Sequence, residues 1–397
     1  MIQSINQKVC LAGKNEIAVY GLSLLIKYVD KEDICVVCNA TDDGFDTWQP
    51  SLLKAAIKND IAVKTLDECY GIDGLIFLSL EFDKIISPDK FVNAILYNVH
   101  FSNLPAYKGM YTSALPLLNG EKVGGVTLHY MDSGIDTGDI IEQLRFPIDE
   151  SDTARNLYEK YLVNSKKLLR ENISKLLNGE VVSYPQSTFG STYFSKKEID
   201  YKSLDIDLRR TAEQIKNQIR AFTFPEYQVP KVLGYYVNSA EVSATKSSSK
   251  PGALIQATDV AITIATVDYD VILYRDMDYE LLDAAAKNDE SKALACVENG
   301  ADVNRRNGRG WTPLIVASFN GSVDVLNLLL SEGVDVDKVN YKGTTPLMYA
   351  MTHYENTKQR LVFDALIDFG ANLDLRDCHG FSIMDYAKER AVRGLFE

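Results

Sequence analysis

Two short blocks near the end of this chain return at a fixed interval, and no other feature limits its fold so tightly. Gly310-Trp311-Thr312-Pro313-Leu314 comes back as Gly343-Thr344-Thr345-Pro346-Leu347, and Gly300-Ala301-Asp302-Val303-Asn304 as Gly333-Val334-Asp335-Val336-Asp337. Both pairs repeat at about 33 residues, a period at which each unit buries its apolar side only by stacking on the next. A third copy, Gly370-Ala371-Asn372-Leu373-Asp374 with Gly380-Phe381-Ser382-Ile383, follows a slightly longer unit, and residues 281–298 supply an opening helical pair. Three to four units suffice for a continuous core, so residues 276–397 are expected to be an all-α repeat domain.

A chain of 397 residues exceeds one comfortable core and predicts two or three domains. Residues 1–190 alternate strand-like and helix-like runs, as in an open α/β sheet. Strands are expected at 8–11, 34–37, 74–79 and 96–100, with a helix over 17–29. Ligands of such sheets lie at the carboxyl ends of strands, and His100 ends one of them. The turn Gly13-Lys14-Asn15-Glu16 lacks the glycine spacing of a dinucleotide site. Residues 191–275 differ in texture. A helix-like stretch around 209–227 precedes antiparallel strands at 231–242 and 260–274, which predicts a small, mainly β domain.

The chemistry sits in two segments, Asn98-Val99-His100-Phe101-Ser102-Asn103-Leu104-Pro105 and Asp132-Ser133-Gly134-Ile135-Asp136-Thr137-Gly138-Asp139. When an amine attacks an acyl carbon, negative charge builds on the carbonyl oxygen while a proton must leave nitrogen. An Asn98 amide N–H can hold the oxyanion. His100 can take the proton, and Asp136 can orient the ring and stabilise its cation. Asn98 and His100 alternate about Val99, so an extended segment puts both on one face. None of His129, His353 and His379 has such neighbours. His129 lies in a strand leading to the Asp136 loop and reads as structural.

These paired motifs resemble the N10-formyltetrahydrofolate-dependent formyltransferases, in which an Asn, a His two residues later and a distant Asp form the catalytic set. With the terminal repeats, which resemble ankyrin units, the whole chain is similar to dTDP-amino-dideoxyglucose N-formyltransferases of O-antigen synthesis. The resemblance implies an α/β formyltransferase domain (1–190), a substrate-binding and dimerisation domain (191–275) and ankyrin repeats (276–397). It implies formyl transfer to dTDP-3-amino-3,6-dideoxyglucose, with the 4-amino isomer next, in a homodimer. Folate contacts would fall on Phe82, Asp132, Ile135 and Asp136, and acceptor contacts on Lys84, Tyr107, Lys197, Arg220, Phe224 and Tyr227. Rings with basic neighbours suit a stacked base and a diphosphate. In the ankyrin groove, Trp311 with Arg305, Arg306 and Arg309 offers an indole platform and cations to a second nucleotide sugar, or else the groove takes a protein. The pattern departs from ankyrin usage where histidine follows Thr-Pro-Leu, since Ile315 and Met348 stand there. Alternatives are methionyl-tRNA formylation, the formylation step of purine synthesis, and an interaction protein with a vestigial enzyme domain.

Net charge of −13 disfavours a nucleic acid partner, because that affinity rests on Lys and Arg neutralising phosphates. No run is long and apolar enough to span a bilayer and the start carries no apolar leader, which predicts a cytoplasmic protein. The scattered cysteines suit a reducing compartment. Cys35-Val36-Val37-Cys38 has zinc or redox spacing but lies in a strand-like run without a second ligand pair, so no metal is expected. Cys10, Cys69, Cys296 and Cys378 read as small core or surface residues.

Overall fold

The computed structural model describes residues 7–392 and Leu395. The first six residues, part of the segment read as lacking an apolar leader, lie outside the described residues. The chain divides into two compact units, one ending at Leu204 and the other beginning at Asp205. No helix among the described residues is long and apolar enough to cross a membrane.

In the first unit, β1 (Val9–Gly13), α1 (Asn15–Leu25), β2 (Ile34–Cys38), α2 (Leu52–Lys58), β3 (Ala62–Val63), α3 (Leu66–Tyr70), β4 (Ile76–Leu80) and β5 (Ile95–His100) follow in alternation. Short β6 (Lys108–Gly109) and α4 (Leu115–Leu118) precede β7 (Val123–Tyr130), β8 (Ile140–Pro147) and the long α5 (Ala154–Asn178), and β9 (Tyr193–Phe194) pairs with β6. The main sheet has the order β3-β2-β1-β4-β5-β7-β8, parallel as far as β5 and antiparallel beyond it. Its central strands are apolar along their whole length because helices or loops cover both faces. On one face Phe101 stacks on Tyr161 of α5 at 5.3 Å. On the other, Cys10, Cys35, Phe77 and Leu96 pack with Leu66 and Cys69 of α3. Side chains alternate along β5, so Asn98 and His100 share that second face with Leu96, nearer the carboxyl edge.

The second unit opens with α6 (Ala212–Phe222), which a Thr211–Gln214 capping box starts. An antiparallel sheet follows, built from β10 (Lys231–Val232), β11 (Tyr235–Val242), β12 (Leu254–Ala257), β13 (Ala261–Ile264) and β14 (Val271–Arg275) in the order β10-β11-β14-β13-β12. Helices α7 (Met277–Lys287), α8 (Glu290–Glu298), α9 (Pro313–Asn320), α10 (Val323–Ser331), α11 (Pro346–Thr357), α12 (Leu361–Asp368) and α13 (Ile383–Glu389) then stack on one shared core. Repeat glycines recur for a backbone reason: Gly310, Gly343 and Gly380 hold φ of 77°, 76° and 79°, where a side chain is strained. The missing histidine leaves no gap in the hydrogen bonding. Thr312 and Thr345 hydroxyls accept from the Ile315 and Met348 amides at 3.2 Å, while Asn307 and Asn340 carboxamides accept two amides each in the preceding turns. Ile315 and Met348 are buried and fill core.

Candidate active site

β5 carries Asn98 and His100 to the carboxyl edge of the sheet, and the loop from β7 to β8 brings Asp136 to meet them. That loop is tightly determined. Asp132 Oδ1 accepts from Gly134 N at 3.0 Å and from the Thr137 hydroxyl at 2.6 Å. The Gln186 amide donates to the Asp136 and Gly138 carbonyls, both at 2.8 Å. A Cβ on Gly138 would stand 1.9 Å from the Tyr130 carbonyl oxygen, so only glycine fits. Asp136 itself sits at φ of 54°, a left-handed conformation that costs an L-residue about 1–2 kcal/mol and that Asp adopts more readily than most. Its carboxylate is thereby aimed back at β5.

His100 is 8% exposed. Its Nε2 lies 2.8 Å from the Tyr107 carbonyl. A carbonyl only accepts, so Nε2 carries a proton, and Nδ1, 3.5 Å from Asp136 Oδ2, is the basic nitrogen. Asp136 Oδ2 also accepts from Gly109 N at 2.9 Å. Asn98 Nδ2 faces two acceptors, His129 Nε2 at 3.1 Å and Asp136 Oδ1 at 3.3 Å. His129 Nδ1 donates to the Tyr130 carbonyl at 2.7 Å, which leaves its Nε2 as a lone-pair acceptor. Burial pushes His129 down to about 4 from an ordinary 6.5, against the opposing pull of Asp136. A hydrogen-bonded carboxylate, an imidazole whose Nδ1 keeps its lone pair and a directed amide N–H therefore share one set.

The remaining residues singled out in the sequence scatter. Ile135 is 37% exposed at the loop tip, Phe82 is half-buried, and Lys84 is exposed. The Asp132 carboxylate closes its own loop. Tyr107 was expected to touch the acceptor, yet its ring is buried and its hydroxyl donates to Glu121 at 2.7 Å, while its carbonyl serves His100. Arg220, expected on a diphosphate, is 5% exposed and donates to Asn217 on its own helix; Phe224 is buried too, with only Tyr227 exposed beside it. These side chains fill core because α6 turns that edge inward. Lys197 does line a depression of about 450 Å³, with Tyr111, Lys196, Asp200, Tyr201 and Lys202. In the second unit, Trp311 is half-buried against Tyr349 at 4.8 Å and Phe319 at 5.2 Å rather than standing free. Arg305 pairs with Asp278 and Arg306 donates to the Val339 carbonyl, which leaves Arg309 over the indole at 5.9 Å. The sequence reading missed His129, Gln186 and the ring pair Tyr111–Tyr201. A histidine two strand positions from the Asp136 loop was the one signal on offer.

An open α/β sheet with this set at its carboxyl edge defines a group-transfer enzyme acting at a carbonyl. Residues 48–173 match the formyl transferase model, residues 198–280 the formyl transferase C-terminal domain and residues 281–377 three ankyrin repeats. The chain is 41% identical to WlaRD, a sugar 3N-formyl transferase crystallised in the presence of dTDP and 5-N-formyl-THF, covering 68% of this chain and 97% of that one at a TM-score of 0.63. It is 39% identical to an N-formyltransferase from Helicobacter canadensis, solved with folinic acid and dTDP-3-aminofucose, covering 68% and 100% at the same TM-score. A methionyl-tRNA formyltransferase of Staphylococcus aureus (strain Newman) is 29% identical over 57% of this chain and 77% of its own length. The chain belongs to the formyl transferase family, carries an ankyrin region, and is an enzyme that transfers formyl groups.

Proposed function

We propose that the enzyme moves a formyl group from N10-formyltetrahydrofolate to the amine of a dTDP-linked amino-dideoxyhexose, with dTDP-3-amino-3,6-dideoxyglucose favoured. The convergence of Asn98, His100 and Asp136 carries the chemistry, and the two sugar N-formyltransferases above support the acceptor class. The folate supplies the formyl carbon. As the acceptor amine adds to it, the formyl oxygen draws the Asn98 N–H that Asp136 holds at the longer distance of 3.3 Å, while His129 keeps the other. His100 Nδ1 takes the amine proton and Asp136 Oδ2 steadies the resulting cation. His100 then returns that proton to the departing nitrogen. Exposed Ile135 suits the donor's ring, and the depression beside Lys197 suits a base and diphosphate, with Tyr201 as the ring and Lys196, Lys197 and Lys202 as cations. Within this reading residues 1–190 transfer, 191–275 bind and dimerise, and 276–397 form the repeats of a cytoplasmic enzyme of O-antigen synthesis. Assaying dTDP-3-amino against dTDP-4-amino sugars tests it: the 3-amino substrates should turn over faster. Equal failure of both, with methionyl-tRNA accepted, would overturn it.

The repeat region carries a second expectation under this reading. Trp311, Phe319 and Tyr349 form an aromatic platform with Arg309 above it, suited to a base and phosphate. Calorimetry should show two binding events per chain for the nucleotide sugar, and Trp311→Ala should abolish the non-catalytic one. A single event in the wild type, or two in both proteins, returns the groove to protein contacts.

A further inference from the structure

Three thiols converge on a part of the sheet that formyl transfer does not use. Cys10 stands on β1, Cys35 on β2 and Cys69 on α3, all are buried, and their sulfurs lie within 4.8 Å of one another. Cys10 Sγ and Cys69 Sγ are 3.6 Å apart, and no disulfide joins them. The parallel register sets Cys10 opposite Cys35, so alternation turns both thiols toward the face that α3 covers. Cys38, the sequence partner of Cys35, has the opposite parity on the same strand and is not in the group. Around the sulfurs are Val37, Leu66, Leu75 and Phe77. Among the described residues no fourth His, Cys, Asp or Glu joins them.

Sulfurs held at about 2.3 Å from one ion stand about 4 Å apart, so the trio needs only small side-chain rotations to close on a metal. Soft donors without a carboxylate select a thiophilic cation. Apolar surroundings with three ligands suit a three-coordinate monovalent ion and deny Zn(II) the fourth ligand of its tetrahedron. We infer that Cys10, Cys35 and Cys69 form a trithiolate site for a cation of the Cu(I) class. Each metal–sulfur bond replaces one S–H bond, the protons leave to solvent, and the oxidation state of the ion does not change. Access requires only that α3, five residues long, open away from the sheet. Occupation would fasten that helix to β1 and β2.

The full-length reduced protein, titrated anaerobically with Cu(I) against a chromophoric Cu(I) chelator, should retain one ion per chain, and X-ray absorption should show three sulfur neighbours. Cys10→Ser, Cys35→Ser and Cys69→Ser should each weaken retention on the order of tenfold or more, whereas Cys378→Ser should leave it unchanged. Metal-free protein should keep its formyl transfer activity, which also reports that each variant folds. Loss of the ion to the chelator, a shell of two sulfurs or of nitrogen in the wild type, or retention unaffected by Cys69→Ser would overturn the site. The absorption result stands on the wild type alone, so a variant that fails to fold does not shield the inference.

Discussion

His100→Asn and Asp136→Asn should each lower kcat on the order of 10²-fold or more, the loss expected when a general base or its support is removed. The two substitutions act on one unit by different routes. An asparagine at 100 puts its amide where Nδ1 stands, short of the Tyr107 carbonyl that Nε2 reaches at 2.8 Å, so the basic nitrogen and that contact are lost together. At 136, an asparagine can give its oxygen to Gly109 N, but its amide then faces Asn98 Nδ2, donor against donor, where Oδ1 now accepts at 3.3 Å. It also offers no charge to steady the His100 cation. Residues that serve one proton transfer are strongly non-additive, so the double variant should be scarcely worse than either single one. Steady-state rates at saturating donor and acceptor decide the matter. Near wild-type kcat for His100→Asn would remove it as the base, and fully additive losses would mean that Asp136 does separate work.

What the sequence made legible follows from which signals are local. The sheet strands that lead to the site were readable because a strand buried on both faces is an unbroken apolar run, as Val9-Cys10-Leu11-Ala12 and Ile76-Phe77-Leu78 are. The repeats were readable because Gly310 and Gly343 serve the same left-handed turn, which forces the same residue at the same interval. Helix α5 had a capping box at Thr153 and a left-handed glycine at Gly179, signals that a reading led by motifs passes over. Side-chain destinations across long separations were not legible at all. Arg220 and Phe224 look exposed in a polar, aromatic stretch, and only the packing of α6 against β11 buries them. His129 was opaque for the same reason: its role depends on β5 and β7 pairing antiparallel with Asn98 opposite His129, a register no local pattern encodes. The thiol trio joins positions from β1, β2 and α3, so no spacing within a single segment announces it.

That register makes His129 the source of an acid sensitivity. Its folded pKa, about 4, lies below the ordinary 6.5 because burial disfavours the cation. A depressed folded value means that the unfolded chain binds the proton first. The stabilising contribution is therefore full above pH 6.5 and is lost as pH falls from 6.5 toward 4, by about 3 kcal/mol when complete. His129→Gln removes this titration while keeping an oxygen that can accept from Asn98. Denaturant unfolding from about pH 7.5 to about pH 4.5 should show the wild type losing stability more steeply than the variant, with their difference growing below pH 6.5. Activity should respond in the same direction. A protonated His129 Nε2 can no longer accept, so the Asn98 amide must turn its oxygen toward the imidazolium and withdraw the N–H that the formyl oxygen needs. Wild-type kcat/KM should then fall more steeply on the acid side than that of His129→Gln. Parallel stability curves across that range would show that His129 titrates alike in both states, and the pinning of Asn98 would then owe nothing to its neutral form.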